Sequence, residues 1–224
     1  MFEILGITFH WYGLLVGLGI WVAMKLALNN RNKIPSNDLE KAMWYAVIGG
    51  VIGARIYHVI DFWGRYYSTD VIKVFYLWEG GLAIWGAIVG GVIGLLSYCY
   101  FNKLNFLEYF DVCINGLPLA QAIGRIGNYA NGELYGKKGE PLYAYEAALN
   151  LILFFVMNKI PLRYKKRGVV SGVYLVGYGI IRIVLENFRP EENIWSLSGI
   201  PVAILFSIAA ISVGSFLIFR RKQS

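Results

Sequence analysis

Charge is scarce in this chain. Only 16% of its residues are Asp, Glu, Lys or Arg, against about a quarter in an ordinary soluble domain. Histidine occurs twice and cysteine twice. That count argues against a His-rich catalytic zinc site. Cys99 and Cys113 lack metal-ligand spacing and read as small apolar side chains inside hydrophobic segments. No metal, disulfide or cofactor is expected. Polar stretches long enough to build a soluble domain are also missing, so residues 1–224 are expected to form one domain.

Apolar residues fill the space instead, at 57% of the chain. Uncharged runs at 80–102 and 194–219 each reach the roughly 20 residues that a spanning helix needs. Shorter runs are extended by apolar flanks. The pattern predicts an all-α integral membrane protein with seven transmembrane helices, near 9–28, 41–60, 81–101, 107–123, 143–160, 169–187 and 199–219. The fourth is short and contains Asp111 and Pro118. The first has neither a basic leading region nor a small-residue cleavage site, so it reads as a span and not as a cleaved signal peptide. The longest connections, 61–80 and 124–142, fall on one side.

The basic residues say which side. One set of connections holds thirteen: Lys25, Arg31, Lys33, Lys41, Lys103, Lys159, Arg163, Lys165, Lys166, Arg167, Arg220, Arg221 and Lys222. The other holds seven: Arg65, Lys73, Arg125, Lys137, Lys138, Arg182 and Arg189, with Arg55 inside a span. Cytoplasmic loops carry the excess, so the N-terminus is expected outside and the C-terminus in the cytoplasm. The net charge of +7 then reflects membrane orientation and anionic lipid, and no nucleic-acid partner is expected. Gly13 with Gly17, Gly49 with Gly53, and Gly86, Gly90 and Gly94 recur at the spacing that lets helices approach closely in lipid.

Residues 124–136, Gly-Arg-Ile-Gly-Asn-Tyr-Ala-Asn-Gly-Glu-Leu-Tyr-Gly, carry an arginine, two asparagines and a glutamate beside the hydrocarbon phase. Ionisable groups so placed are costly and point to function. Arg182 and Glu186 lie four apart, on one helix face, and Arg189 follows; an ion pair with an interfacial arginine is the structural alternative. Arg55, Arg125 and Arg182 together exceed what the one recognised glutamate, Glu186, neutralises. A phosphate, which the guanidinium fork binds bidentately, would remove the excess. Arg55, His58 and Asp61 share a face of the second span. His58 is a candidate base, oriented by Asp61; the alternative is an interfacial histidine with no catalytic part.

Taken together these residues resemble the bacterial phosphatidylglycerol:prolipoprotein diacylglyceryl transferase family along nearly the whole chain. The run 124–136 looks like its signature. His10-Trp11-Tyr12-Gly13, Gly53-Ala54-Arg55, Gly80-Gly81-Leu82, and Tyr178-Gly179 with Arg182, Glu186 and Arg189 look like further motifs of the family. The resemblance implies a multi-pass enzyme of the bacterial plasma membrane with its site toward the outer face. Its substrates would be phosphatidylglycerol and the lipobox cysteine of a prolipoprotein signal peptide. Arg125 and Arg182 would be catalytic. Tyr12, Asn128, Glu133 and Gly136 would line the lipid pocket, with Arg55, Gly80, Gly81, Asn131, Tyr178, Glu186 and Arg189 contributing to substrate binding. Three positions depart from the family pattern: Trp85 and Glu140 stand where histidine is usual, and Ile200 where glutamine is. Trp85 and Ile200 leave open a related membrane transferase with a different thiol acceptor. An anion transporter is a further alternative, though no internal repeat supports it.

Overall fold

The structure is a computed structural model. It describes residues 2–4, 7–9, 11–31, 33–159 and 166–220, without the side chains of 2–4, 7–9, 11 and 79. His10 of the first motif, and Arg163, Lys165, Arg221 and Lys222 of the basic set, lie outside the described residues. The fold is all-helical apart from two small antiparallel hairpins. Eight α-helices are described: α1 (Trp11–Asn29), α2 (Ser36–Asp61), α3 (Ile84–Phe101), α4 (Phe106–Ile114), α5 (Leu117–Asn131), α6 (Leu142–Asn158), α7 (Val169–Glu186) and α8 (Val202–Phe219). The hairpins pair β1 (Phe2–Ile4) with β2 (Ile7–Phe9), and β3 (Ser196–Leu197) with β4 (Ile200–Pro201). Five helices, α1, α2, α3, α7 and α8, are long and apolar enough to cross a membrane, and α6 is a shorter apolar helix.

The fourth expected span is corrected. It is two helices, α4 and α5, separated at Asn115 and Gly116. Pro118 sits in the first turn of α5, where its missing N–H leaves no vacancy in the ladder. Gly116 abuts α1: a Cβ there would lie 2.8 Å from the Ala23 Cα. The connection expected to begin at 124 is corrected as well. Helix α5 continues through the glycine-rich run to Asn131 and ends at Gly132, which is left-handed at φ 69°.

The chain forms two compact units, residues 33–109 and the two flanks around them. In the 33–109 unit, α2 packs against α3 along a seam of glycines. A Cβ on Gly49 would lie 2.5 Å from the Gly90 carbonyl oxygen, and Gly53 meets Gly86 in the same way. The expected helix packing is therefore present here, whereas Gly13 and Gly17 of α1 face open space. The outward face of α2 carries Ile48, Ile52, Ile56 and Ile60, all more than half exposed, a stripe suited to hydrocarbon.

In the flanking unit, α1 packs on α5 through Gly19 and Ala120, and α7 on α8 through Gly172 and Gly214. Leu153, Met157, Val170, Tyr174, Ile181 and Leu185 form much of its core. Asp111 of α4 is buried at 6% exposure and caps α7. Its carboxylate accepts from the Gly168 N–H at 2.6 Å, the Ser171 N–H at 2.8 Å and the Ser171 hydroxyl at 2.6 Å. The first turn of a helix has orphan N–H groups, and α7 has no cap from its own preceding residue, so a neighbouring helix supplies one. Asp111→Asn turns one accepting oxygen into a donor facing an N–H. It should destabilise the detergent-solubilised protein by about 1–2 kcal/mol, the range for a lost cap, read as a lower thermal midpoint.

Candidate active site

The last turns of α5 carry Arg125, Asn128 and Asn131, three apart and hence along one face. Arg125 Nη1 donates to Asn128 Oδ1 at 2.9 Å, and Nη2 donates to Glu146 Oε1 at 2.8 Å. Glu146 comes from α6 and is 1% exposed. It also faces α7: Tyr178 donates its hydroxyl to Glu146 Oε1 at 3.3 Å, and Arg182 Nη1 lies 3.9 Å from Oε2. Arg182 Nη2 donates to Glu186 Oε2 at 3.0 Å, and Arg189 Nη1 is 3.6 Å from the same oxygen.

This chain of contacts corrects the charge count made from sequence. Two carboxylates, Glu146 and Glu186, serve three guanidiniums, Arg125, Arg182 and Arg189. Three positive charges less two negative ones leave a surplus of one. Buried ions are tolerated when paired, and the one surplus charge is what a phosphodiester would match. Arg125 also keeps a buried Nε–H with no partner among the described residues.

Glu146 went unnoticed in the sequence although it is the only charged residue of α6. A solitary carboxylate in an apolar segment was the available signal. Its partners are 21 and 36 residues away, so no spacing rule could name them.

Beyond Arg125, Asn128 Nδ2 donates to Glu133 Oε2 at 3.2 Å and Asn131 Nδ2 to Glu133 Oε1 at 3.3 Å. Tyr12 packs over Gly127, where a Cβ would meet its ring at 2.8 Å. Gly136 is buried in the following turn, with its N–H on the Glu140 carbonyl at 2.8 Å and the Phe188 carbonyl at its back. The Glu140 carboxyl is held below the usual carboxylate range by its own backbone N–H and that of Lys138. It is ionised at neutral pH and is no proton donor there.

A groove of about 350 Å³ opens on this unit beside Arg125. Ile126 and Tyr129 of α5 form one wall, and Ala144, Ala147, Ala148 and Leu151 of α6 the other. The small α6 residues leave the space, and the lining is almost wholly apolar.

Arg55, His58, Gly80 and Gly81 belong to the other unit and form a second constellation. Arg55 donates Nε to Val74 O at 2.8 Å, Nη1 to Gly80 O at 2.6 Å and Gly81 O at 3.1 Å, and Nη2 to Lys73 O at 2.5 Å and Tyr76 O at 3.1 Å. A guanidinium has five N–H donors, and these five carbonyls use them all. Arg55 thereby gathers the 73–81 segment around itself. Gly81, at φ 75°, leaves no room for a Cβ against the Arg55 and His58 side chains. His58 Nδ1 is hydrogen-bonded to the Tyr67 hydroxyl at 3.0 Å, and its ring stacks on Phe62. Tyr67, and not the expected Asp61, is the hydrogen-bond partner of the imidazole among the described residues.

Comparison with known proteins adds a second line of findings. The sequence model of the family described as prolipoprotein diacylglyceryl transferase matches residues 1–220. The chain is 33% identical over 249 residues to the phosphatidylglycerol–prolipoprotein diacylglyceryl transferase of Streptococcus equi subsp. equi, covering 99% of this chain and 94% of that protein. It is 34% identical over 241 residues to the enzyme of the same name from Streptococcus uberis, covering 96% and 92%. It is 29% identical over 234 residues to that from Bordetella parapertussis, covering 93% and 89%.

The shared use of Glu146 has a measurable consequence. Glu146→Ala leaves two guanidiniums short of a counter-charge, so stability should fall by about 3–5 kcal/mol, as when one member of a buried pair is removed. The double variant Arg125→Ala/Glu146→Ala should regain part of that loss in thermal unfolding. Additive losses would mean that the two side chains are energetically independent.

Proposed function

The chain belongs to the prolipoprotein diacylglyceryl transferase family, and on that premise we propose that it transfers a diacylglyceryl group from phosphatidylglycerol to the lipobox cysteine of a prolipoprotein. The observation that carries the reading is the surplus of one positive charge on a chain of three guanidiniums and two carboxylates. A phosphodiester brings one negative charge and leaves as a phosphate monoester with more. The cysteine sulfur bonds to the glyceryl carbon, that carbon's bond to phosphate oxygen breaks, and the electron pair departs on glycerol phosphate. Arg125 and Arg182 stabilise charge where it develops, fixed in advance by Glu146 and Glu186. Asn128, Asn131 and Glu133 border the same site, with Tyr12 on α1 and Tyr178 on α7; Gly136 shapes the turn that follows. No cofactor is needed, because the leaving group is already activated as a phosphodiester.

The apolar groove beside Arg125 suits an acyl chain of the donor lipid. Seven passes follow if α4 and α5 together make one crossing and α6 another. The excess of basic residues on one set of connections supports an N-terminus outside, a C-terminus in the cytoplasm and a site toward the outer face of the bacterial plasma membrane. The family match through both units supports one transferase domain over 1–224. Arg55, with Gly80 and Gly81, serves substrate binding by shaping the 73–81 segment.

The direct test is mass spectrometry of a lipobox peptide incubated with the purified protein and phosphatidylglycerol. A diacylglyceryl adduct with glycerol phosphate released only when the thiol peptide is present is expected; an unmodified peptide with the lipid intact would refute the reading. Arg125→Ala and Arg182→Ala should each cut turnover by about 10²–10³-fold, the usual loss for one such donor. Lysine should rescue poorly for want of the planar fork. Ala147→Trp should fill the groove and raise the KM for long-chain phosphatidylglycerol more than for a short-chain analogue. An equal rise for both would assign the groove to something other than acyl chains.

A further inference from the structure

Transfer to a thiol requires a group to take its proton, and the arginine chain cannot do so. Glu146 and Glu186 are each buried against guanidiniums. Glu133 differs from both. It is exposed, its oxygens accept only from the neutral amides of Asn128 and Asn131, and among the described residues no cation pairs with it. Asn128 connects it to the site: one amide takes a hydrogen bond from Arg125 through its oxygen and gives one to Glu133 through its nitrogen. A free carboxylate thus stands one amide away from the guanidinium that faces phosphate.

The backbone holds it there at a cost. Gly132 is left-handed at φ 69°, and the Glu133 N–H reaches back to the Asn128 carbonyl at 2.8 Å, closing the end of α5. Leu134, on the other side of Glu133, is also left-handed at φ 64°. A non-glycine residue in that region is strained by roughly 1–2 kcal/mol. The strain is overcome because the Leu134 side chain packs on the core and its carbonyl accepts from the Tyr143 N–H at 3.2 Å. Strain maintained on an exposed carboxylate beside a binding site is a pointer to function.

We propose that the Glu133 carboxylate is the general base of the transfer, an inference that rests on the transferase reading. The thiol proton moves to a Glu133 oxygen as the sulfur–carbon bond forms and the carbon–oxygen bond to phosphate breaks. The electron pair leaves on glycerol phosphate, and Glu133 then returns the proton to water. Asn128 and Asn131 aim the carboxylate.

The test compares a lipobox peptide carrying cysteine with the same peptide carrying selenocysteine, whose selenol is already ionised at neutral pH and needs no base. Glu133→Gln should lower kcat on the thiol peptide by about 10²–10⁴-fold, the usual worth of a general base, with little change in the KM for phosphatidylglycerol. On the selenol peptide the ratio of wild type to variant should fall close to one. Arg125→Ala should remain impaired on both peptides. Added formate should partly restore thiol transfer by Glu133→Ala, which covers the case in which the glutamine variant folds poorly. An equal deficit on both peptides, or no deficit on either, would overturn the assignment. Wild-type protein inactive on both would overturn the transferase reading and this inference with it.

Discussion

Glu146 carries one negative charge and faces two guanidiniums from different helices. In a low-dielectric interior both the attraction and the penalty for an unmatched charge are magnified. The carboxylate therefore does two things at once. It makes it tolerable for Arg125 and Arg182 to lie among apolar helices, and it fixes their forks before any ligand arrives. Glu186 does the same for the far side of Arg182 and for Arg189. If the buried carboxylates equalled the arginines they touch, that chain of contacts would have no unmatched charge to offer an anion. If there were one carboxylate fewer, the uncompensated charge would weigh on membrane insertion and folding. A surplus of one satisfies both demands.

Arg55 shows how differently an arginine in an apolar helix can be used. Its setting in the sequence, after Gly53-Ala54, looks much like that of Arg125 after Ile123-Gly124. Donor accounting separates them. The five N–H groups of Arg55 end on five backbone carbonyls, which stabilise the cation while leaving it no free donor. Arg125 makes two hydrogen bonds, both to side chains, and its Nε–H has no partner among the described residues. The first arrangement organises backbone; the second retains capacity for a ligand.

What the sequence disclosed and what it hid divide along the same physical line. The Arg182–Glu186 pair was legible because four residues make one helical turn, and the glycine seam of α2 and α3 because small residues repeat at that spacing. Partners on separate helices were not legible, so Glu146 was missed and the arginines looked unbalanced. In the sequence, Pro118 and Asp111 only interrupt an apolar run. Pro118 opens α5, and Asp111 caps α7 from 57 and 60 residues away. Polar or helix-breaking character has its use here at a helix end or in another helix, which a single apolar run does not disclose.

Helix polarity explains why the charges are distributed as they are. Backbone N–H groups draw anions to helix N-termini, but α5 and α7 approach the site with their C-terminal halves, the partially negative ends. Their backbones offer an anion nothing, so side chains must supply the attraction, and arginine is stabilised toward such ends. Helix α6 runs the other way and presents its N-terminal turns, where a carboxylate is favoured, and Glu146 is its fifth residue. Alternating helix direction thus sets the sign of each charge: guanidiniums on α5 and α7, and the carboxylate between them on α6. The turn after α5 completes the arrangement. Once Gly132 has ended the helix, Glu133 lies beyond its last carbonyls and is held by side-chain amides, with no cation paired to it among the described residues.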